Sequence, residues 1–263
     1  MTAPARSGWR TGGDSAQPQR LAIPSGQELG GPELVRDVHD RYVDATAAEI
    51  LTWAAANVPG RIAVASSMGD THLVHLVAEH LPGIDVIFLD TGYHFPETLA
   101  TRDEVGRHLD VTIRSVRPTL SVAEQDDVHG ADLFARDPGA CCAMRKIEPL
   151  TATLGDYDAW ITGVRRVESP TRAGTPIIEW DATFGLIKIN PLVAWTDDDV
   201  QNYLTEHDVP VNPLLSQGYP SIGCAPCTRA VAAGEDARAG RWSGFEKTEC
   251  GLHPGTTARG GQL

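Results

Sequence analysis

No apolar run in this chain approaches the roughly 20 residues that a membrane-spanning helix needs. The first twenty residues, MTAPARSGWRTGGDSAQPQR, contain no apolar segment of the kind a secretory signal carries. Both absences point to a cytoplasmic protein. An excess of basic charge is missing as well: 35 acidic side chains stand against 22 basic ones, a formal net charge of −13. That balance argues against nonspecific attachment to nucleic acid or to an anionic membrane surface. Internal repeats are absent, and cysteine is sparse, with five in 263 residues. Under the reducing conditions expected, five thiols read as metal ligands or a redox nucleophile rather than as a disulfide framework. What is present is enough apolar residue, 41%, to bury one large domain, or one domain with a small appendage.

The pattern of that apolar residue sets the fold class. Residues 1–32, rich in Gly, Pro, Ser and Gln, are expected to be disordered. ELVRDVHDRYVDATAAEILTWAAANV has helical spacing and predicts two helices or one bent one, stopped at Pro59-Gly60. Then the period changes. RIAVASS (61–67) and IDVIFLD (84–90) are short, β-branched, nearly continuous apolar runs with the helical HLVHLVAEHL between them, a βαβ unit with buried parallel strands. FPETLATRDEVGRHL repeats the helical pattern with Pro96 in its first turn, VTIRSV reads as a third strand and AWITGV as a fourth. TDDDVQNYLTEHDV begins with an N-cap at Thr196 and carboxylates in its first turn. The order predicts an α/β fold with an open, doubly wound, mostly parallel sheet. Ligands sit beyond the carboxyl ends of such strands, so the loops 66–71, 90–97 and 163–176 are expected to converge.

Those loops carry suitable groups. SSMGDT, with Ser66 and Ser67, follows a strand and opens a helix, so its hydroxyls and N–H groups suit a phosphate; a structural strand-to-helix turn has the same composition. Asp90 in LDTGYHFPET suits either a ribose hydroxyl or a helix cap. GVRRVESPTR places Arg165, Arg166 and Arg172 in one loop, where planar guanidinium groups suit phosphate or sulfate oxygens. With Arg145, Lys146, Arg229, Arg238, Arg241 and Lys247 near the cysteines, the cations gather as for a small anionic ligand, although any single one reads equally as a solvated surface charge.

The cysteines fall into two pairs and one left over: Cys141 and Cys142 in GACCAMRK, Cys224 and Cys227 in GCAPCTR, and Cys250 in KTECGLH. Four thiolates suit an iron–sulfur cubane, and they suit zinc. Adjacent side chains on a helix diverge by about 100°, which crowds one small ion more than a cubane and favours the cluster. Cys250 sits in a glycine-bearing, polar C-terminal stretch fit to move as a lid, with Lys247 and His253 favouring its thiolate and Glu249 opposing it. Arg238 and Arg241, three apart, would share a face if helical.

The set SSMGDT, LDTGYHFPE, CCAMRK, GVRRVESPTR, GCAPCTRAVAAGEDARAGRW and KTECGLH resembles the bacterial assimilatory adenylylsulfate (APS) reductases, relatives of the PAPS reductases with an adenine-nucleotide α-hydrolase-like fold. The resemblance runs from about residue 40 to 254. It implies reduction of APS to sulfite and AMP with electrons from thioredoxin. It also implies a [4Fe–4S] cluster on Cys141, Cys142, Cys224 and Cys227, and Cys250 as the nucleophile that becomes S-sulfocysteine. Lys146, Arg238, Arg241 and His253 then lie near the phosphosulfate, and Ser66, Ser67 and Arg165 or Arg166 contact the nucleotide. The expected organisation is a nucleotide and iron–sulfur domain over 33–228 and a catalytic C-terminal segment over 229–263. Met68 and Thr71 replace a glycine and a serine of the related pyrophosphatase loop, which fits a monophosphosulfate better than a triphosphate. Three other readings stay open: a PAPS reductase, a nucleotidyl-transfer enzyme of the same fold with structural zinc, and an iron–sulfur sensor without turnover.

Overall fold

Four short strands rise where the apolar runs predict them, and two more complete the sheet. In chain order the main elements are helix α1 (Ala47–Asn57), β1 (Ile62–Ala65), α2 (Thr71–His80), β2 (Ile84–Leu89), α3 (Pro96–His108), β3 (Val111–Val116) and α4 (Val122–His129). They are followed by α5 (Pro138–Cys142), a wide π-helical turn (Ala143–Ile147), α6 (Glu148–Leu154), β4 (Ala159–Ile161), β5 (Ile178–Asp181), β6 (Leu186–Ile189) and α7 (Asp197–Glu206). The computed structural model describes residues 40–58 and 60–245, with Val35, Val38, Lys247, Glu249, Gly251 and Leu252. The segment 1–32, Cys250 and His253 lie outside the described residues.

The strand order is β3-β2-β1-β4-β6-β5. All neighbours are parallel except β5, which pairs antiparallel with β6 at the edge. The chain steps from β1 out to β3, then returns to lay β4 on the other side of β1. That reversal makes the β1/β4 boundary the switch point where a doubly wound sheet opens a crevice.

Alternate residues of each strand face opposite layers. Val64, Val86, Phe88, Ile161, Ile187 and Ile189 join the larger core with residues of α1 and α2. Ala63, Ile87, Trp160 and Leu186 face the other way, onto Leu150 and Leu154 of α6. Covering both faces is why these strands read as continuous apolar runs. Phe88 and Trp160 are almost fully buried, and truncating either to alanine costs about 3–5 kcal/mol.

Local signals set the helix starts. Thr46 and Glu49 form a capping box ahead of α1, which separates that helix from the helical residues at 40–42. Thr196 and Asp199 do the same ahead of α7, and Pro96 occupies the first turn of α3. The hairpin β5/β6 was not predicted. Its apolar pattern is broken by Glu179 and Lys188, which face each other in register and form an ion pair at 2.9 Å. The continuous element 138–154 was not predicted either: Pro138 starts it, and Pro149, which lacks an N–H for the helix ladder, follows directly on the π-turn.

Candidate active site and cysteine pocket

The three loops expected to converge do so. A cleft of about 310 Å³ opens at the switch point. Ser66, Ser67 and Asp70 line it from the β1 loop, His94 from the β2 loop, and Gly163, Arg165, Glu168 and Arg172 from the β4 loop.

The β1 loop is rigidly specified. Ser66 Oγ accepts from the Met68 N–H at 3.0 Å and donates to Asp70 Oδ1 at 2.8 Å. Met68 is in the left-handed region (φ 61°), a strained setting for a side chain with a Cβ. Asn212 Nδ2 donates to its carbonyl at 3.3 Å. The Ser66 hydroxyl is thus engaged inside the loop, while Ser67 is exposed at the cleft. Burial pushes the Asp70 carboxyl up, against the hydrogen bond from Ser66. Gly163 permits this packing, since a Cβ there would lie 2.5 Å from Asp70 Oδ2.

The two arginines proposed as alternatives part company. Arg165 lines the cleft, 2.8 Å from Asp197 and 3.6 Å from Glu168. Arg166 is not among the lining residues; its guanidinium donates to the Thr175 carbonyl at 3.0 Å. Arg172 is in the lining and is paired with Glu168 and with Glu249. Asp90 is outside the lining as well: its carboxylate meets Arg117 at 3.1 Å and accepts the Gly92 N–H at 3.4 Å.

Sequence reasoning had given His94 and His72 no role. His94 Nε2 donates to the Leu89 carbonyl at 2.8 Å, leaving Nδ1 as the lone-pair nitrogen. That buried acceptor has no partner among the described residues. Burial, then Lys146, holds the ring below the usual imidazole range. His72 stacks on Trp195 at 6.3 Å, and burial with Arg165 lowers it to about 4. Neither is marked in the sequence, where both look like helix-face or turn histidines.

The two cysteine pairs, with Cys142 and Cys224 82 positions apart in sequence, line one pocket. Cys141 and Cys142 come from the last turn of α5, Cys224 and Cys227 from a short 3₁₀ turn whose Ala225 N–H donates to the Tyr93 carbonyl at 2.7 Å. None of the four is in a disulfide. Burial pushes the Cys141 thiol up to about 12, and the nearness of Cys142, Cys224 and Cys227 adds to the shift. Cys227 is raised the same way, opposed by Lys146 and Arg241. The Arg145 guanidinium is committed to structure, donating to the Thr91 carbonyl and, at 3.0 Å, to Gln125.

Lys146, Arg241 and Trp242 line both the pocket and the cleft, so they form the wall between them. Arg241 donates to Ser221 at 3.2 Å and lies 4.5 Å from the Trp242 ring centre. Its guanidinium packs over Gly223, where a Cβ would come within 2.3 Å. Arg238 and Arg241 occupy consecutive turns, not the helix considered from their spacing, yet both reach the cleft.

Described residues close to Cys250 return to this place. Glu249 and Leu252 line the cleft. The Glu249 carboxylate accepts from Arg172 Nε and Nη2, both at 2.9 Å, from Arg238 at 3.2 Å and from Thr171 at 3.3 Å. Burial alone would raise its pKa, but the two guanidinium groups hold it below the usual carboxylate range. Cys250 and His253, the neighbours of these residues, lie outside the described residues.

The sequence profile of the phosphoadenosine phosphosulfate reductase domain matches residues 61–230. The chain is 57% identical over 210 residues to an adenosine 5′-phosphosulfate reductase of Mycolicibacterium smegmatis, covering 80% of this chain and 89% of that one. It has the same identity and coverage with the protein of that name from Streptomyces coelicolor. Among solved structures, the phosphoadenylyl-sulfate reductase of Candida auris in a phosphate complex superposes with a TM-score of 0.66 at 29% identity, covering 78% of this chain and all of that one. The FMN adenylyltransferase of Candida glabrata superposes at 0.51 with 16% identity, covering 77% and 68%, a likeness of fold alone. Profile, identity and fold agree, and the chain belongs to the phosphoadenosine phosphosulfate reductase family of oxidoreductases.

Proposed function

We propose that this protein reduces adenosine 5′-phosphosulfate to sulfite and AMP in sulfate assimilation, through an S-sulfocysteine on Cys250. The observation that carries the reading is the joining of two sites: a cationic cleft at the nucleotide switch point shares Lys146 and Arg241 with a pocket of four thiols. The identity to proteins named adenosine 5′-phosphosulfate reductase supports the substrate without a 3′-phosphate.

The adenylyl end fits the crevice between the β1 and β4 loops, which Ser67, His94 and Arg165 line. The phosphosulfate fits beside Lys146, Arg238 and Arg241. Their fixed positive charge stabilises the second negative charge that develops on AMP as the sulfuryl oxygen bond breaks. The Cys250 thiolate attacks the sulfur, an S–S bond forms, the S–O bond to phosphate breaks, and AMP departs. A dithiol protein of the thioredoxin class then attacks the Cys250 sulfur. It releases sulfite, and its second thiol closes a disulfide, supplying the two electrons. Glu249 does not oppose the thiolate as its charge alone would, because Arg172 and Arg238 neutralise it.

The donor set of the second pocket fits a [4Fe–4S] cluster: four thiols from two segments line it, and burial, with the other thiols nearby, raises Cys141 and Cys227, a shift that binding as thiolates to iron compensates. Cys141, Cys142, Cys224 and Cys227 would hold it, and it would supply fixed charge next to Lys146. The decisive assay is turnover with APS and PAPS in parallel, with thioredoxin as reductant. The reading requires sulfite and AMP in equal amounts and a higher kcat/KM for APS. A preference for PAPS, or ATP-dependent product, contradicts it.

A further inference from the structure

α2 and α7 meet at a second cluster, away from the cleft. His75 and Glu79 are four residues apart on α2 and so share a helix face. His207 caps the end of α7. One ligand atom from each of the three lies within 4.8 Å of the others. All three therefore stand within about 2.8 Å of one common point, less than about 1 Å from the bond lengths of zinc to imidazole and carboxylate. His75 and His207 are half-buried and Glu79 is exposed, so the cluster is both shaped and reachable from solvent.

Tyr203 prepares it. Its hydroxyl is 2.7 Å from His75 Nδ1 and close to the Glu79 carboxylate. A hydrogen bond held at Nδ1 leaves Nε2 to face a metal, and it is the outer hydrogen bond that metal-binding histidines usually have. The Tyr203 and His207 rings pack with centres 4.2 Å apart and planes tilted by 31°, which holds the second imidazole in place.

We propose that His75, Glu79 and His207 form a binding site for a divalent transition metal of the zinc class, with water as the fourth ligand. The metal ties α2, which starts from the Ser66–Asp70 loop, to α7, whose Asp197 holds Arg165, and so braces two walls of the cleft. The four-thiol pocket is a competing sink for metal, so the probe must distinguish the two. Cobalt(II) does: a site of imidazole and carboxylate gives visible d–d bands without the near-ultraviolet bands of thiolate-bound cobalt.

The full-length protein with its thiol pocket occupied, stripped of loose metal and kept anaerobic, is titrated with cobalt(II) and then zinc(II). One equivalent of thiolate-free cobalt, displaced by zinc, is expected. Glu79→Gln and His207→Gln should each weaken binding at least tenfold, and Tyr203→Phe by roughly 10- to 100-fold. Zinc should raise the thermal midpoint of the native protein and not of the variants. Glu79 is exposed, so Glu79→Gln keeps the fold. Native affinity in that variant, or no cobalt binding outside the thiol pocket, would overturn the proposal.

Discussion

Replacing Glu249 by alanine isolates what this carboxylate does at the cleft. Its carboxylate takes two bonds from Arg172, one from Arg238 and one from Thr171. The three charged side chains are only 12%, 14% and 18% exposed for Arg172, Glu249 and Arg238. Removing one partner of a fully buried pair costs about 3–5 kcal/mol, and the residual exposure brings this nearer about 2–4 kcal/mol. Much of that cost should be local. Glu168 still pairs with Arg172, and of the described residues around 250 only Leu252 reaches the core. The variant should therefore gain protease sensitivity and amide exchange around 247–252, with a smaller change in global unfolding. If Glu249 holds the segment that presents Cys250, single-turnover adduct formation from APS slows roughly 30- to 1000-fold, the kinetic equivalent of that energy. AMP affinity should stay within about threefold, because the variant keeps both arginines. Glu249→Gln should fall between, since its amide oxygen still accepts from a guanidinium. Adduct formation at the native rate or faster, with the fold and AMP binding intact, would refute the anchoring role.

Three further outcomes follow from the same geometry. His72 is lowered to about 4 from an ordinary 6.5, so the native state prefers the neutral ring. Its contribution is whole above pH 6.5 and is lost as pH falls towards 4. It is worth about 2 kcal/mol between pH 7.5 and 5, and urea midpoints should show His72→Gln losing that much less over the interval. Gly163→Ala places a Cβ 2.5 Å from Asp70 Oδ2; it should destabilise the protein by about 1–3 kcal/mol and weaken AMP binding, measured calorimetrically. Anaerobically purified protein should be brown, with about four iron and four sulfide per chain, and stoichiometric zinc without sulfide would show the pocket to be a zinc site.

The parallel core was legible because both faces of β1, β2 and β4 are covered, so Ile62–Ala65 and, but for Asp85, Ile84–Leu89 carry a continuous apolar signal. The β5/β6 hairpin was not, because Lys188 is buried through a pairing with Glu179 that only the register reveals. In the cleft, residue type and loop position foretold the convergence, but not that Arg165 and Arg172 line it while Arg166 does not. Arg166 is drawn to the Thr175 carbonyl and Arg172 to Glu249, 77 residues away, a partner that no local spacing announces. The two cysteine pairs were visible in the sequence, and the structure brings them to one pocket. The π-turn that follows Cys142 and carries Lys146 has no simple sequence period.

The central claim is that Cys250 carries the sulfonate from the cleft to the reductant, and intact-protein mass spectrometry tests it most directly. Incubated with APS and no reductant, the native chain should gain about 80 Da, the mass of SO₃, at Cys250 and release one equivalent of AMP. Cys250→Ser should do neither. An adduct on the serine variant, or continued turnover by it, would contradict the account.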